Sequence, residues 1–92
     1  MSRMNMTQIE RAYKALANKR RLTILQLLHT RGSVNVSDIA DHIHLSLPST
    51  SRHLRTLALA DFVQNEQTNT TVRYFLSKER DTLLDHTLKL LR

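Results

Sequence analysis

The residues with the clearest chemistry lie in Leu45-Ser46-Leu47-Pro48-Ser49-Thr50-Ser51-Arg52-His53-Leu54-Arg55-Thr56-Leu57. No acid occurs between Leu45 and Ala60, while Arg52 and Arg55 supply guanidinium groups and the serines and threonines supply hydroxyls. Such groups suit phosphate oxygens and base edges. Ser46 can cap a helix by accepting from an amide of its first turn, and Pro48 sits early enough that its missing N–H costs no helical bond. At about 100° per residue, Leu47, Thr50, Leu54, Leu57 and Ala58 fall on one side. Pro48, Arg52, Arg55, Thr56 and, nearer the edge, Ser49 fall on the other. One side suits a core, and the other suits the major groove of DNA. A solvated helix face is the alternative on charge alone.

Other chemistries fit less well. The chain has no cysteine, which excludes disulfides, thiolate metal ligands and thiol redox sensing. His42 and His44 are two apart at a helix end, a spacing that aims side chains in different directions. His86 with Asp81 or Asp85 forms a metal set only if a symmetric partner duplicates it. No glycine-rich phosphate loop and no Ser/His/Asp pattern in a plausible setting is present, so the chain is expected not to be an enzyme and to carry no cofactor.

Ninety-two residues suggest one domain over 1–92, with a limited core that a dimer interface would help. Lys and Arg number 14 against 8 acids, a formal charge of +6 that favours a polyanionic partner. The excess is not in the arginine-bearing helix. Residues 1–35 hold seven basic groups and one acid (+6), 36–76 hold three and four (−1), and 77–92 hold four and three (+1). The opening residues show no apolar signal-peptide core, and nothing approaches the ~20 apolar residues of a membrane span. A cytoplasmic protein without membrane partners is the expectation.

The elements that must position the arginine-bearing helix follow from periodicity. Met6, Ile9, Ala12, Tyr13 and Leu16 have helical spacing. Asn18 caps a second helix from Lys19 to about His29, broadly apolar through Leu22, Ile24, Leu25, Leu27 and Leu28, and the only glycine, Gly32, follows it. The cluster Lys19-Arg20-Arg21 at its start opposes the helix dipole, and a solvated cluster is the expected outcome. Val34 suits a short strand. Asn35, helped by Asp38, caps a third helix that buries Ile39, Ala40 and Ile43. His44-Leu45 turns the chain into the fourth helix, a helix-turn-helix over about 36–60. A wing over about 62–76 follows, with strands Phe62–Glu66 and Val72–Leu76 joined by Gln67–Thr71, where Asn69 best tolerates a left-handed turn. Val72, Tyr74 and Leu76 should face inward, Arg73 and Phe75 outward. Ser77 is expected to cap a last helix over about 77–91, with Leu83, Leu84, Leu88 and Leu91 on one stripe that suits the chain's own core and a dimer seam equally. The order α-α-α-α-β-β-α is mainly α with a small β-hairpin, a winged helix-turn-helix of the α+β class.

These residues resemble the ArsR/SmtB transcriptional repressors. Lys14 to Leu25 (KALANKRRLTIL) is similar to the family's "ALADPTRLRIL" opening. Ser37-Asp38-Ile39-Ala40 resembles its third helix, Leu45 to Leu57 its "LSQPTVSRHLKVL" recognition helix, and Val72 to Leu76 its wing strand. The likeness covers about Lys14 to Leu76. It implies a homodimeric repressor of double-stranded DNA whose terminal helices, about 6–16 and 77–91, form the dimer interface. Met6, Ile9, Tyr13, Leu83, Leu84, Leu88 and Leu91 are the residues placed to do so. It carries DNA contact onto Ser46, Leu47, Pro48, Ser49, Ser51, Arg52 and His53. Arg55, Thr56, Asn69 and Arg73 join them on position, and Arg73, beside the wing loop, is read as a phosphate or minor-groove contact.

The departures bear on function. Leu47 stands where the family often has Gln, which replaces a reader of adenine with a group suited to a thymine methyl. Thr50 replaces a buried Val. His44 and Asp61 replace frequent turn glycines. Asn35 and Ser37 occupy the cysteine positions of the family's best-known metal site, and the last helix lacks its Asp-x-His spacing and second histidine. The expectation is a member that senses no metal, reads an inverted-repeat operator and lies on the nucleoid when bound. The competing expectation, favoured by the −1 of residues 36–76, is a winged helix that docks or assembles proteins without specific DNA readout.

Overall fold

A computed structural model of the chain describes residues 4–79 and 81–92. The helix α1 (Met6–Leu16) starts at a capping box in which Asn5 Oδ1 accepts from Gln8 N at 2.8 Å and Gln8 Oε1 accepts from Asn5 N at 2.9 Å. The second, α2 (Lys19–Arg31), is capped by Asn18 and runs to Gly32, whose φ of 88° is a conformation that L side chains resist. A three-residue strand β1 (Ser33–Asn35) leads into α3 (Val36–Ile43), which Asn35 caps through Asp38 N at 2.8 Å. His44 takes the left-handed conformation at the end of α3, and Leu45 N donates to Ala40 O at 3.1 Å. Ser46 then caps α4 (Leu47–Leu59) as the sequence predicts, its Oγ accepting from Ser49 N at 3.2 Å.

The wing consists of β2 (Val63–Thr68) and β3 (Thr71–Leu76), antiparallel from Val63↔Leu76 to Thr68↔Thr71. The connection is tighter than the expected loop, with only Asn69 and Thr70 between the strands; Asn69 is left-handed at φ 54°. The strand β1 pairs with β3 (Val34↔Tyr74), so the hairpin is one part of a three-stranded sheet ordered β1-β3-β2. Arg73 is exposed and Leu76 buried, as alternation requires, with Val72 and Tyr74 half-buried. Phe75 is not free on the outer face. It is half-buried, and Lys78 Nζ lies 5.9 Å from its ring centroid.

The last helix differs from expectation. It is α5 (Thr82–Leu90), capped by Asp81, and Leu91 lies just beyond its end. Ser77 is not its cap. The Ser77 hydroxyl donates to Asp61 O at 2.6 Å and its amide to Phe62 O at 3.0 Å, which ties the strand exit to the end of α4.

Helix α2 packs against the other four helices and against β1 and β3. Its Ile24, Leu25 and Leu28 form the centre of a core completed by Ile39, Leu54, Leu57, Phe62 and Leu84, all with almost no exposure. A protein of this size depends on such a centre, because little other apolar surface is removed from water. Leu54 and Leu57 fix which side of α4 faces in. Thr50, on the same side, is fully buried, and its Oγ1 has no hydrogen-bond partner among the described residues. A buried hydroxyl without a partner costs its desolvation. Thr50→Val, which places a methyl there, is expected to raise unfolding stability by about 1 kcal/mol, measured as a shift of the urea midpoint at constant slope.

Candidate nucleic-acid interface

Packing against α1, α2, α3 and β2 sets the exposure of α4. Its buried residues are Thr50, Leu54 and Leu57, and its exposed ones are Leu47, Pro48, Ser51, Arg52, Arg55 and Leu59. Pro48, Arg52 and Arg55 are exposed as predicted; Leu47, Ser51 and Leu59 join them, while Ser49 and Thr56 are half-buried. Leu47 belongs to the outward face, at 52% exposure, and not to the inner stripe where the helical wheel puts it. It lies in the first turn, ahead of the part of α4 that neighbouring elements cover. Thr56 leaves the face. It is half-buried, its Oγ1 donates to Arg52 O at 3.1 Å, and it lines a shallow groove against α1 with Arg11 and Lys14.

The polar atoms of the face are partly organised. Arg52 Nη2 donates to Ser49 Oγ at 3.1 Å, which holds the guanidinium along the helix surface near its N-terminal half. Ser46 is exposed and engaged as the cap, while Ser51 and Arg55 are exposed. Positively polarised amides at the start of α4 add to the attraction for phosphate. At the wing, Asn69 is exposed at the turn. Arg73 points elsewhere. Its Nε donates to Ser33 Oγ at 3.1 Å and its Nη2 to Ser33 O at 3.0 Å, so the guanidinium braces β3 on β1 and is not extended toward the wing tip.

His53 also departs from the expected set. It is half-buried, and its Nδ1 lies 3.1 Å from Nη1 of Arg21 on α2. Nδ1 of the imidazole is thus directed into the α2–α4 seam. Burial, then the nearby Arg21, Arg20 and Arg52, push its pKa below the usual value. Arg21 in turn donates from Nε to Ala15 O at 2.7 Å and from Nη2 to Lys14 O at 3.0 Å. The basic cluster at the start of α2 is therefore not wholly solvated. The signal was present in the sequence: a cation at a helix N-terminus is unfavourable, and the carbonyl end of the preceding helix is a natural partner for it.

The residues placed at the dimer surface separate into two groups. Met6 (81% exposed), Ile9 (37%) and Tyr13 (59%) project from α1. Leu84 and Leu88 do not project. They are 1% and 2% exposed, inside the chain's own core, while Leu83 and Leu91 pack half-buried at its edge. Leu59 and Leu90 are exposed as well. An open groove of about 890 Å³ runs between α1, the end of α4 and the start of α5, lined by Ile9, Tyr13, Leu59 and Leu83 among others. Among the described residues no group of three or more His, Asp or Glu side chains converges as a metal site, and no helix is long and apolar enough to cross a membrane.

Known proteins share both this arrangement and its sequence. A family model described as the MarR family matches residues 18–70, from the cap of α2 to the wing turn. Transcriptional repressor SdpR of Bacillus subtilis (strain 168) is 34% identical over 65 residues, 71% of each chain. The structure of HlyU from Vibrio cholerae N16961 has a TM-score of 0.79 at 30% identity, over 98% of this chain and 94% of that one. Mb0332 from Mycobacterium bovis has a TM-score of 0.74 at 28% identity, over 99% and 83% of the two chains. It is described as a homodimeric winged helix-turn-helix DNA-binding domain and a possible ArsR-family transcriptional regulator. The fold is a winged helix-turn-helix, and the likeness to Mb0332 agrees with the ArsR/SmtB resemblance of Lys14 to Leu76.

Proposed function

We propose, on the premise that this chain belongs to the MarR family of winged helix-turn-helix transcriptional regulators, that it is a homodimeric repressor reading an inverted repeat in double-stranded DNA. The observation that carries this reading is the outward face of α4. It is exposed, free of acids, and armed with Arg52 and Arg55 beside Leu47, Pro48 and Ser51, on the helix that such folds lay in the major groove. Arg52 reads a guanine edge, Leu47 meets a thymine methyl, and the Ser49 hydroxyl orients Arg52. Asn69 carries the wing toward the flanking backbone. His53, Thr56 and Arg73 support the fold around the interface and do not touch DNA. The name of SdpR supports repression, and the homodimer described for Mb0332 supports a second copy docked on the α1 surface.

The reading has no catalytic step and no resident metal, and it places the protein with the nucleoid in the cytoplasm. At one of the positions where ArsR/SmtB repressors have metal-binding cysteine, Asn35 caps α3 and donates to Asp38 Oδ2 at 3.1 Å. Selection of duplexes from a random pool, followed by gel shift with unlabelled competitor, tests the proposal. The expected product is an inverted repeat whose half-site centres lie about one helical turn apart, bound alike with and without added zinc. Retention of every duplex equally would overturn specific readout and favour the protein-docking alternative. Release by stoichiometric zinc would overturn the metal-free part.

A further inference from the structure

Arg21 joins three segments through one planar group. Its Nε and Nη2 donate to Ala15 O and Lys14 O, carbonyls of the last turn of α1 that have no partner within the helix. Its Nη1 meets His53 Nδ1 on α4 at 3.1 Å. Arginine has only donors, so this imidazole nitrogen accepts and the ring is the neutral tautomer protonated on Nε2. We propose that Arg21 is a positioning residue for DNA reading: it seats α4 on the carbonyl end of α1 through His53, linking the helix of the dimer surface to the helix that reads. This rests on the reading of α4 as the DNA-contacting helix.

The surroundings of His53 favour the neutral ring. The charges acting on it are all positive, from Arg21 and Arg20 of α2 and from Arg52 of α4 itself. Neither Glu10 of α1, nor Asp38 and Asp41 of α3, nor Glu66 of β2 contributes; Glu10 pairs with Lys14 at 3.7 Å. A histidine with a lowered folded pKa contributes stability that is present above its unfolded pKa of about 6.5 and is lost as pH falls through the folded value. Acid therefore loosens the seat. A His53 that contacted phosphate would behave oppositely, because the protonated ring would bind DNA more tightly.

The experiment uses the full chain and a duplex it selects from a random pool. Affinity is measured from pH 7.5 to 5.5 at constant ionic strength, within the range where circular dichroism is unchanged. The expected result is an affinity that falls with acidification in the parent, with that fall absent from His53→Gln. Arg21→Lys keeps the charge but loses the fork, and should bind the selected duplex about tenfold more weakly. Adding His53→Ala to it should cost little more. Affinity that rises on acidification in the parent, but not in His53→Gln, would overturn the proposal. So would ¹⁵N imidazole shifts of the free protein at pH 7.5 that show Nδ1 protonated, a readout that needs no DNA and survives a failed Arg21→Lys fold. Selection of no duplex defeats the DNA reading, and the positioning role with it.

Discussion

Arg52→Ala is expected to weaken binding to the selected duplex by about 1–3 kcal/mol for each half-site contact and to remove preference at one base pair of each half-site. The side chain is exposed on the outward face of α4, and its Nη2 is held by Ser49 Oγ at 3.1 Å. That bond restrains the long side chain before DNA arrives, so less rotamer freedom is lost on binding. The same bond takes one of the five N–H donors, and a remaining adjacent pair meets O6 and N7 of guanine. A symmetric dimer makes the contact twice. Each protomer measures 36 × 25 × 23 Å, a size at which two reading helices can reach major grooves about 34 Å apart. Arg73→Ala is the comparison within the same fold. Its guanidinium is engaged by Ser33, so its loss should leave the ratio of specific to scrambled affinity unchanged. Titrations of selected and scrambled duplex at several salt concentrations measure both. Should Arg52→Ala leave that ratio intact, α4 is not the reader.

The same face shows what periodicity can and cannot report. Ser46, Pro48 and the inward Thr50, Leu54 and Leu57 were legible because capping and helical spacing are local properties. The helical wheel alone puts Leu47 on the core stripe, because it extends that stripe to the first turn, where Leu47 is 52% exposed; the resemblance of Leu45 to Leu57 puts it at the DNA. Ser77 and Asp81 are equally good caps by type; a backbone bond to Phe62, far away in sequence, removed Ser77 from the choice. The strand β1 spans three residues, too few for alternation to register. The Arg21–His53 contact joins positions 32 apart, and nothing in either segment names the other. A leucine stripe cannot say whether it meets its own chain or another, so periodicity leaves core and dimer seam equally open for the last helix; Leu84 and Leu88 lie in the chain's own core.

That last distinction separates fold from assembly in a test. Ile9→Glu combined with Tyr13→Glu is expected to leave a folded monomer and to abolish tight binding of the inverted repeat. Tyr13 is 59% exposed in the single chain and Ile9 37%, so the loss of internal packing falls mainly at Ile9, and the thermal melt measures it. Both side chains line the groove between α1, the end of α4 and α5, alongside Leu59 and Leu83. These apolar groups share the groove with Arg11, Asp61, Glu79, Asp81 and His86, a mixed lining of the kind a partner surface presents, and a twofold contact brings each residue in twice. Burying carboxylates there without partners costs several kcal/mol, so the dimer dissociation constant should rise by about a thousandfold or more. Leu84→Ala, by contrast, removes a core side chain and should cost about 2–5 kcal/mol of stability. Sedimentation equilibrium at micromolar concentration, with a thermal melt of each variant, distinguishes the two effects. The glutamate variant should sediment as a monomer with a folded signal, and Leu84→Ala should melt early. On DNA, the monomer should bind one half-site and the full repeat with nearly equal affinity, because the gain from two linked contacts is gone. A parent that is already monomeric, or a glutamate variant that still prefers the full repeat, would remove the α1 groove as the dimer surface.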